Sequence, residues 1–280
     1  MVKVDLHIHS NHSDGSNSIE ELAKIIIEKD INIFALTDHD TIEGCIEMSK
    51  LINSQTTTFI PAIELTCKAD DIKCHILGYG CNPNNKQLQN LISKGKELRK
   101  QKLETRIQFL EKTWNIILTK DEKDWLYSRK SVVKTHLANI LVKRGLATDN
   151  VSAMKKYLDN CKTGNTRFDG IEAINTIISA GGIPVWAHPL GGEGEIHIPE
   201  KEFLPKLEKM INFGIQGLEC YYSRYNFEEI EILTRNAEKF NLYITGGSDY
   251  HGTNKNIPLL RLNTTEQPIP AEKITILQAL

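Results

Sequence analysis

Short apolar segments alternate with amphipathic segments along most of the chain, and this alternation constrains the fold more than any other feature. Residues 2–9 have the composition of a first strand, and the capping-box pattern at Ser18 to Glu21 then begins a helix. Repeated βα units predict an α/β protein, and they favour a closed, TIM-like barrel of seven strands. Periodicity alone is also compatible with an open, all-parallel sheet. The six further strands are predicted at residues 31–36, 57–65, 74–79, 183–187, 215–220 and 242–247.

The βα pattern is interrupted between residues 84 and 167, where the spacing of apolar residues is helical. One long amphipathic helix is predicted over 88–114, and Ser131 is placed to cap a second helix over 132–144. A shorter helix is predicted over 152–158. We therefore expect a helical insertion domain at 84–167, with the barrel formed by residues 1–83 and 168–280.

Charge is distributed unevenly along the 280 residues, although the formal net charge is only −2. Residues 86–144 hold 15 Lys and Arg against 6 Asp and Glu, so the predicted insertion carries a net charge of +9. The six cysteines form no CxxC pair and the N-terminus does not resemble a signal peptide, which predicts free thiols in a reducing cytoplasm. No apolar run is long enough to span a bilayer, and we expect neither membrane contact nor an obligate protein partner.

Histidines and acidic residues are concentrated where the predicted strands end. His7 and His9 are two positions apart on the first strand, so their rings project from the same side and converge. A metal ion would satisfy both imidazoles at once. Because barrel active sites are built at the carboxyl ends of strands, the sequence predicts a metal centre there. The other candidate ligands are Asp14, His39, Glu64, His75, His188, Asp249 and His251.

Two of these candidates lie on neighbouring strands that are separated by a short polar turn. If an antiparallel hairpin turns at Ala69 and Asp70, Glu64 and His75 lie directly opposite each other and can share a metal. Taken alone, His39 is equally compatible with a helix-capping turn and His75 with a buried core position. Their joint placement at strand ends favours the metal centre.

Four motifs built on these residues resemble those of the PHP (polymerase and histidinol phosphatase) superfamily. The predicted insertion and the segment that follows Ile215 further resemble the TrpH-like, or RNase AM-like, phosphoesterases, which act on 3′,5′-nucleotide bisphosphates and short RNA. The four motifs are Asp5-Leu6-His7-Ile8-His9-Ser10, Thr37-Asp38-His39-Asp40-Thr41, Ala187-His188-Pro189 and Gly247-Ser248-Asp249-Tyr250-His251-Gly252; the subgroup segments are Lys134-Thr135-His136-Leu137-Ala138 and Glu219-Cys220-Tyr221-Tyr222-Ser223.

The resemblance implies a distorted (β/α)7 barrel that holds three divalent metal ions, which the ligand types allow to be Mn, Fe or Zn. A hydroxide that bridges the metals would attack phosphorus, so the expected activity is hydrolysis of phosphate esters of nucleotides such as pAp, or of short RNA 5′ ends. The substrate would be a small nucleotide or a short oligonucleotide. The implied ligand sets are His7, His9, Glu64 and Asp249 for one ion, Glu64, His75 and His188 for a second, and Asp14, His39 and His251 for a third.

Substrate phosphates need cations outside the metal cluster, and the candidates are Lys134, His136 and Arg224. Within a regular helix, residues two apart point about 200° away from each other, so Lys134 and His136 face one ligand only if Lys134 precedes or begins the helix. Relatives usually carry Arg-Pro-His here, and a lysine supplies a point charge instead of a bidentate fork. Asp38 and Asp40 are the expected acceptors for the second ring nitrogen of His39.

Two other functions are compatible with the same motifs. A histidinol-phosphate phosphatase would use the same metal chemistry, and the basic helical insertion disfavours it. A non-catalytic metal-binding module of the superfamily is the second alternative, and the complete set of candidate ligands disfavours it.

Overall fold

The computed structural model describes residues 2–52, 56–164 and 166–280. The seven predicted strands are present in the predicted order, with ends that differ from the predicted ones by a few residues, and three short strands that we did not predict are also present. The strands are β1 Val4–Ile8, β2 Ile33–Leu36, β3 Thr58–Ala69, β4 Ile72–Tyr79, β5 Phe168–Asp169, β6 Ile183–Ala187, β7 Gly217–Tyr222, β8 Tyr243–Gly247, β9 Arg261–Leu262 and β10 Gln267–Pro268.

Helices cover the outside of the sheet and form most of the segment between β4 and β5. The α-helices are α1 Ile19–Glu28, α2 Glu43–Leu51, α3 Lys86–Trp114, α4 Lys120–Tyr127, α5 Lys134–Lys143, α6 Asn150–Ala153, α7 Gly170–Ser179, α8 Glu200–Asn212 and α9 Phe227–Lys239. A π-helical turn spans Met154–Leu158, and 3-10 turns span Gly252–Asn254, Ala271–Lys273 and Thr275–Gln278.

The main sheet closes into a barrel of seven strands in the order β1-β2-β3-β4-β6-β7-β8, with β5 paired beside β3. All pairs along this path are parallel except those of β4, which runs antiparallel to both β3 and β6. Closure comes from a parallel bridge between Ile8 and Tyr250, where the His9 amide donates to the Tyr250 carbonyl at 2.9 Å. The predicted distorted TIM-like barrel is confirmed, and the open-sheet alternative is wrong.

Gly247 permits this closure because its strand lies directly against β1. A Cβ at this position would collide with the backbone nitrogen and Cβ of His7. Only glycine therefore allows β8 to approach the strand that carries the first histidine pair.

The β3–β4 hairpin has a different register from the predicted one. Glu64 pairs with Leu77 and His75 pairs with Thr66, so the two candidate ligands are not directly opposite. The turn is centred on Asp70 and Asp71, one residue later than predicted, and Asp70 adopts the left-handed conformation with φ of 53°. Shifting the turn by one residue shifts the pairing by two, so both side chains keep the same face of the sheet.

Helix starts follow local capping in one case and tertiary contacts in another. Ser18 caps α1 through the predicted capping box with Glu21. Ser131 does not cap α5, which begins at Lys134 after Val133. The Ser131 amide donates to the His12 carbonyl at 3.1 Å, so this segment is held against the barrel before the helix can start.

The long predicted helix is continuous as α3, and its two halves pack against different cores. Its first half contributes Leu88 and Leu91 to the barrel core, and its second half joins a separate cluster that includes Leu103 and Leu137. Gly95 separates the halves, where any Cβ would collide with the ring of Phe168. The second core lies within the segment for which we predict an insertion domain, and the domain division itself stays a prediction.

The six cysteines carry free thiols, as predicted. Among the residues that the structure describes, none of the helices combines the length and the apolar character needed to cross a membrane.

Candidate metal centre

The first histidine pair converges inside the barrel end. His7 and His9 are fully buried, and their Nε2 atoms lie 3.1 Å apart. Two imidazole nitrogens at this distance are close enough for both to bind one metal ion.

Glu64 lies at the centre of the candidate ligands. Its carboxylate, which is 1% exposed, faces five imidazoles that come from four strands or the loops that follow them. A single carboxylate with this many nitrogen neighbours is arranged to bridge cations. Oε2 lies 3.2 Å from each of His7 Nε2, His9 Nε2 and His39 Nδ1, whereas Oε1 lies 2.9 Å from His75 Nδ1 and 3.2 Å from His188 Nε2.

Two further carboxylates face the same imidazoles from opposite sides. Asp249 Oδ1 lies 3.3 Å from His9 Nε2 and 3.5 Å from His7 Nε2. Asp14 Oδ1 lies 3.1 Å from His251 Nε2 and 3.9 Å from His39 Nε2. All nine predicted ligands are therefore brought into one connected cluster.

The donor atoms of this cluster fit divalent metal ions. Asp14 Oδ1 and His251 Nε2 are buried and lie 3.1 Å apart, yet neither has a partner in hydrogen-bond geometry among the described residues. His39 Nδ1 lies 3.2 Å from Glu64 Oε2 and likewise has no partner in hydrogen-bond geometry within the part of the chain that the structure describes. Buried polar atoms are rarely left unsatisfied, and imidazole with carboxylate is a donor set typical of Zn, Mn or Fe. Among the described residues there are three groups whose donor atoms all lie within 4.8 Å of the other donor atoms in the same group. The groups are His9, Asp14, His39 and His251; His7, His9 and Asp249; and His39, Glu64 and His75.

Electrostatics keep the three carboxylates ionised. Burial by itself would raise the pKa of Glu64, but the imidazoles of His39, His7 and His75 hold it well below its usual value. Asp14 and Asp249 likewise have lowered pKa values, because nearby cations and imidazoles outweigh the effect of burial. Three carboxylates that stay negative in a buried site favour cation binding.

Residues outside the candidate ligand set hold three of the ligands in place. Glu219 Oε1 lies 2.7 Å from His7 Nδ1, and Glu219 Oε2 accepts from the backbone amide of His188 at 2.8 Å. Asp249 Oδ2 accepts from the hydroxyl of Tyr222 at 3.0 Å and from Lys255 Nζ at 2.8 Å. Such supporting hydrogen bonds orient metal ligands in other proteins.

Sequence reasoning did not assign Glu219 this role, although an acidic residue inside an otherwise apolar strand was an available signal. Asp38 and Asp40 were predicted to support His39, and both contact other groups instead. Asp38 accepts from Ser10, and Asp40 accepts from Arg99.

Two candidate ligands have a strained backbone. His188 has φ of 30° and Asp249 has φ of 59°, and residues other than glycine rarely adopt positive φ values. Strain of this kind persists where the surrounding structure maintains it, and it is concentrated at functional sites.

The cluster opens into a cavity of about 840 Å³ that the insertion helices also line. Lys134 lies on this cavity, and its Nζ is 2.7 Å from Asp159 Oδ1. Lys134 begins α5, which is the position at which it can face the site. The structure therefore brings one predicted phosphate ligand to the cavity.

His136 and Arg224 are not among the residues that line the cavity. His136 is 5% exposed, its Nδ1 accepts from the Val133 amide at 3.1 Å, and its ring meets Trp125 edge to face. The Arg224 guanidinium lies 3.4 Å from Glu193. Contact of these two residues with a substrate phosphate stays a prediction.

Several cations that we did not predict line the cavity, among them Lys102, Arg106 and Arg167. We call these three the cationic wall. Arg99, Lys102 and Arg106 follow one another at helical spacing on one face of α3, and this spacing was visible in the sequence.

The model of the PHP domain family matches residues 5–172, which is more than half of the chain. The chain belongs to the PHP domain family. It is 29% identical over 252 residues to a 5′-3′ exoribonuclease of Haemophilus influenzae, covering 89% of this chain and 90% of the relative. It is 26% identical over 257 residues to a 3′,5′-nucleoside bisphosphate phosphatase of Chromobacterium violaceum, covering 90% of this chain and 88% of the relative.

A solved structure supports the fold independently. An amidohydrolase from Chromobacterium violaceum, solved with bound sulfate and no metal, superposes with a TM-score of 0.85 at 23% identity, covering 99% of this chain and 95% of the other. At this identity the similarity establishes the shared fold alone.

Proposed function

We propose that the protein is a metal-dependent phosphoesterase that hydrolyses phosphate esters of nucleotides, such as 3′,5′-nucleotide bisphosphates, or short RNA from its 5′ end. The observation that carries this proposal is the Glu64 carboxylate facing five imidazoles at the floor of a cavity with cations along its sides. The curated relatives, which are named for RNA and for nucleoside bisphosphates, favour nucleotide substrates over histidinol phosphate.

The nine clustered residues are proposed to hold three divalent ions, with Mn, Fe and Zn as candidates. Bound divalent ions would supply Lewis acidity at the phosphoryl group and activate water for attack. The proposed ligand sets are His7, His9, Glu64 and Asp249; Glu64, His75 and His188; and Asp14, His39 and His251.

The residues around this cluster are proposed to position it and the substrate. Glu219 would keep the His7 ring oriented, and Lys255 with Tyr222 would keep Asp249 oriented, through the hydrogen bonds described above. Lys134 would contact a substrate phosphate from the start of α5.

The helices of residues 84–167 are proposed to act as a domain that caps the barrel end. Their own hydrophobic core and their position on the cavity support this role. The enzyme is proposed to act in the cytoplasm on a small phosphorylated substrate, and the free thiols support a reducing compartment.

The proposal is tested by loading the purified protein with Mn, Fe or Zn in separate preparations and comparing three substrates. These are 3′,5′-bisphosphoadenosine, a 5′-phosphorylated oligoribonucleotide and histidinol phosphate. We expect turnover of one of the first two to exceed that of histidinol phosphate, and chelation to abolish it.

Metal analysis and an anomalous-scattering map of the same preparations would count the ions and identify their ligands. Faster cleavage of histidinol phosphate would contradict the choice of substrate. Hydrolysis of no phosphoester by protein shown to carry its metals would favour a non-catalytic metal-binding module.

A further inference from the structure

The cationic wall consists of Lys102 and Arg106 on α3 and Arg167, which lies just before β5. All three line the cavity that also contains the candidate ligands Glu64, His75 and His188. The wall and the metal centre therefore face one space from different parts of the chain, one from the helical segment and the other from the barrel strands.

Among the described residues, none of the cations of the wall forms a salt bridge. Within residues 2–52, 56–164 and 166–280, none of the three has a carboxylate oxygen within 4.0 Å, whereas Arg99 on the same helix face pairs with Asp40. The nearby carboxylate of Asp159 pairs with Lys134 instead. The wall thus presents positive charge that an anion from outside would have to balance.

Arg106 gives the clearest sign of a missing partner. Its Nε is buried and has no hydrogen-bond partner within the described part of the chain, although the side chain lies on the cavity. Arg167 makes one long contact, from Nη1 to the Cys67 carbonyl at 3.5 Å, which leaves the rest of its guanidinium donors for another acceptor.

Holding these cations together is electrostatically unfavourable. Burial and the neighbouring charges of Arg99, Arg106 and Arg167 lower the pKa of Lys102 to about 7. Burial, with Arg99 and Arg167 nearby, lowers the pKa of Arg106 to about 10. A bound anion would relieve this repulsion, and phosphate matches guanidinium donors in geometry and charge.

We propose that Lys102, Arg106 and Arg167 form a second anion site, which binds a phosphate group of the substrate that is not hydrolysed. This inference rests on the proposed function, because it places the reacting phosphate at the metal centre. It assigns the substrate class as nucleotides with at least two phosphate groups, either both ends of a bisphosphate or successive phosphates of a short RNA.

The proposal is tested with Arg106→Gln and with Lys100→Gln as the matched control on the same helix. Lys100 is exposed and does not line this cavity. We compare kcat/KM for 3′,5′-bisphosphoadenosine and for the two corresponding monophosphates in metal-loaded protein. The wild type is expected to prefer the bisphosphate.

Arg106→Gln is expected to lower kcat/KM for the bisphosphate by about 10- to 100-fold, since it removes hydrogen bonds to a charged group. The monophosphate that carries only the reacting group is expected to change less than about twofold on the same reasoning. Lys100→Gln is expected to behave as the wild type. An equal loss on all substrates, or no loss on the bisphosphate, would overturn the proposal.

A binding measurement separates this inference from the proposed function. Calorimetric titration of the monophosphate product into metal-loaded wild type and Arg106→Gln measures the anion site without turnover. If no phosphoester is hydrolysed and binding still depends on Arg106, the proposed function fails and the anion site stands. If hydrolysis proceeds and binding does not depend on Arg106, the anion site fails and the proposed function stands. Arg106→Lys, which keeps the charge, is expected to retain part of the affinity.

Discussion

The candidate metal centre and the cationic wall share one cavity but differ in how their charges are balanced. In the candidate metal centre, each of the three buried carboxylates lies close to imidazole nitrogens: Glu64 at 2.9 Å from His75, Asp249 at 3.3 Å from His9 and Asp14 at 3.1 Å from His251. In the cationic wall, charges of one sign lie together without a carboxylate partner among the described residues. Substitutions in the first region should therefore remove mutual support, whereas those in the second should relieve repulsion.

The largest effect is expected from Glu64→Gln, which replaces the carboxylate that faces five imidazoles. Residues that merely support metal ligands contribute about 10- to 100-fold to affinity or activity, so we expect a loss greater than about 100-fold here. Metal content by mass spectrometry and turnover of the same sample check this. A variant that kept its metals and its activity would show that Glu64 is not a ligand.

Arg99→Met tests the buried ion pair between Arg99 on α3 and Asp40 in the barrel. Arg99 Nε donates to Asp40 Oδ2 at 2.6 Å, and both side chains are buried, so the variant leaves a buried carboxylate without its partner. We expect the free energy of unfolding to fall by about 3 kcal/mol, measured by urea denaturation. Lys96→Met, which breaks the more exposed pair with Glu43, is the matched control and should cost less than about 1 kcal/mol. Equal losses in the two variants would contradict this account.

Glu219→Gln tests whether the contact of Glu219 with His7 supports the candidate metal centre. The carboxylate that accepts from His7 becomes an amide, so the His7 ring is held less firmly in its orientation and becomes less basic. We expect about 10- to 100-fold weaker metal binding or lower activity. Titration of metal-depleted protein with Mn measures the affinity directly, and excess Mn should restore part of the activity. If added Mn restored no activity at any concentration, Glu219 would have a structural role instead.

Lys102→Met tests whether a substitution in the cationic wall raises the free energy of unfolding, whereas the preceding substitutions are expected to lower stability, metal binding or activity. Burial and Arg99, Arg106 and Arg167 lower the folded-state pKa of Lys102 to about 7, while Asp40 opposes the shift. Because the unfolded lysine titrates near 10.4, the folded wild type should gain stability as the pH rises from 7 towards 10 and lose it as the pH falls through 7.

The Met variant lacks this penalty. It should therefore be more stable than the wild type at pH 7, by about 1 kcal/mol or less for a partly exposed group, and the difference should shrink towards pH 10. Urea denaturation at pH 7 and 9.5 checks both points. Lower stability of the variant at pH 7 would show that packing of the lysine stem outweighs repulsion.

Local sequence pattern predicted the parts of the molecule that depend on local physics. The two-residue spacing of His7 and His9 places both rings on one side of β1, and the helical spacing around Ser18 predicts α1 with its cap. The barrel order followed from repeated βα units. The same reasoning collected the candidate ligands because the carboxyl ends of barrel strands meet at one edge.

What could not be predicted depends on contacts between distant residues. The hairpin register is set by a left-handed Asp70, a conformation that asparagine or glycine signals more strongly than aspartate does. The supporting acceptor for His7 is Glu219, 212 residues away, and no local pattern links them. Ser131 fails to cap α5 because its backbone bonds to His12 in the barrel.

The barrel closure between β1 and β8 determines when, during synthesis of the chain, the candidate metal ligands can come together. Ile8 can meet Tyr250 only after the chain has been synthesised past β8, so His7 and His9 are made long before Asp249, which lies beside them in the fold. Pairings between distant segments form late, since loop closure must precede them. The nascent chain should therefore lack the complete set of candidate ligands until β8 docks against β1, and a chain shortened before β8 should fail to assemble that set.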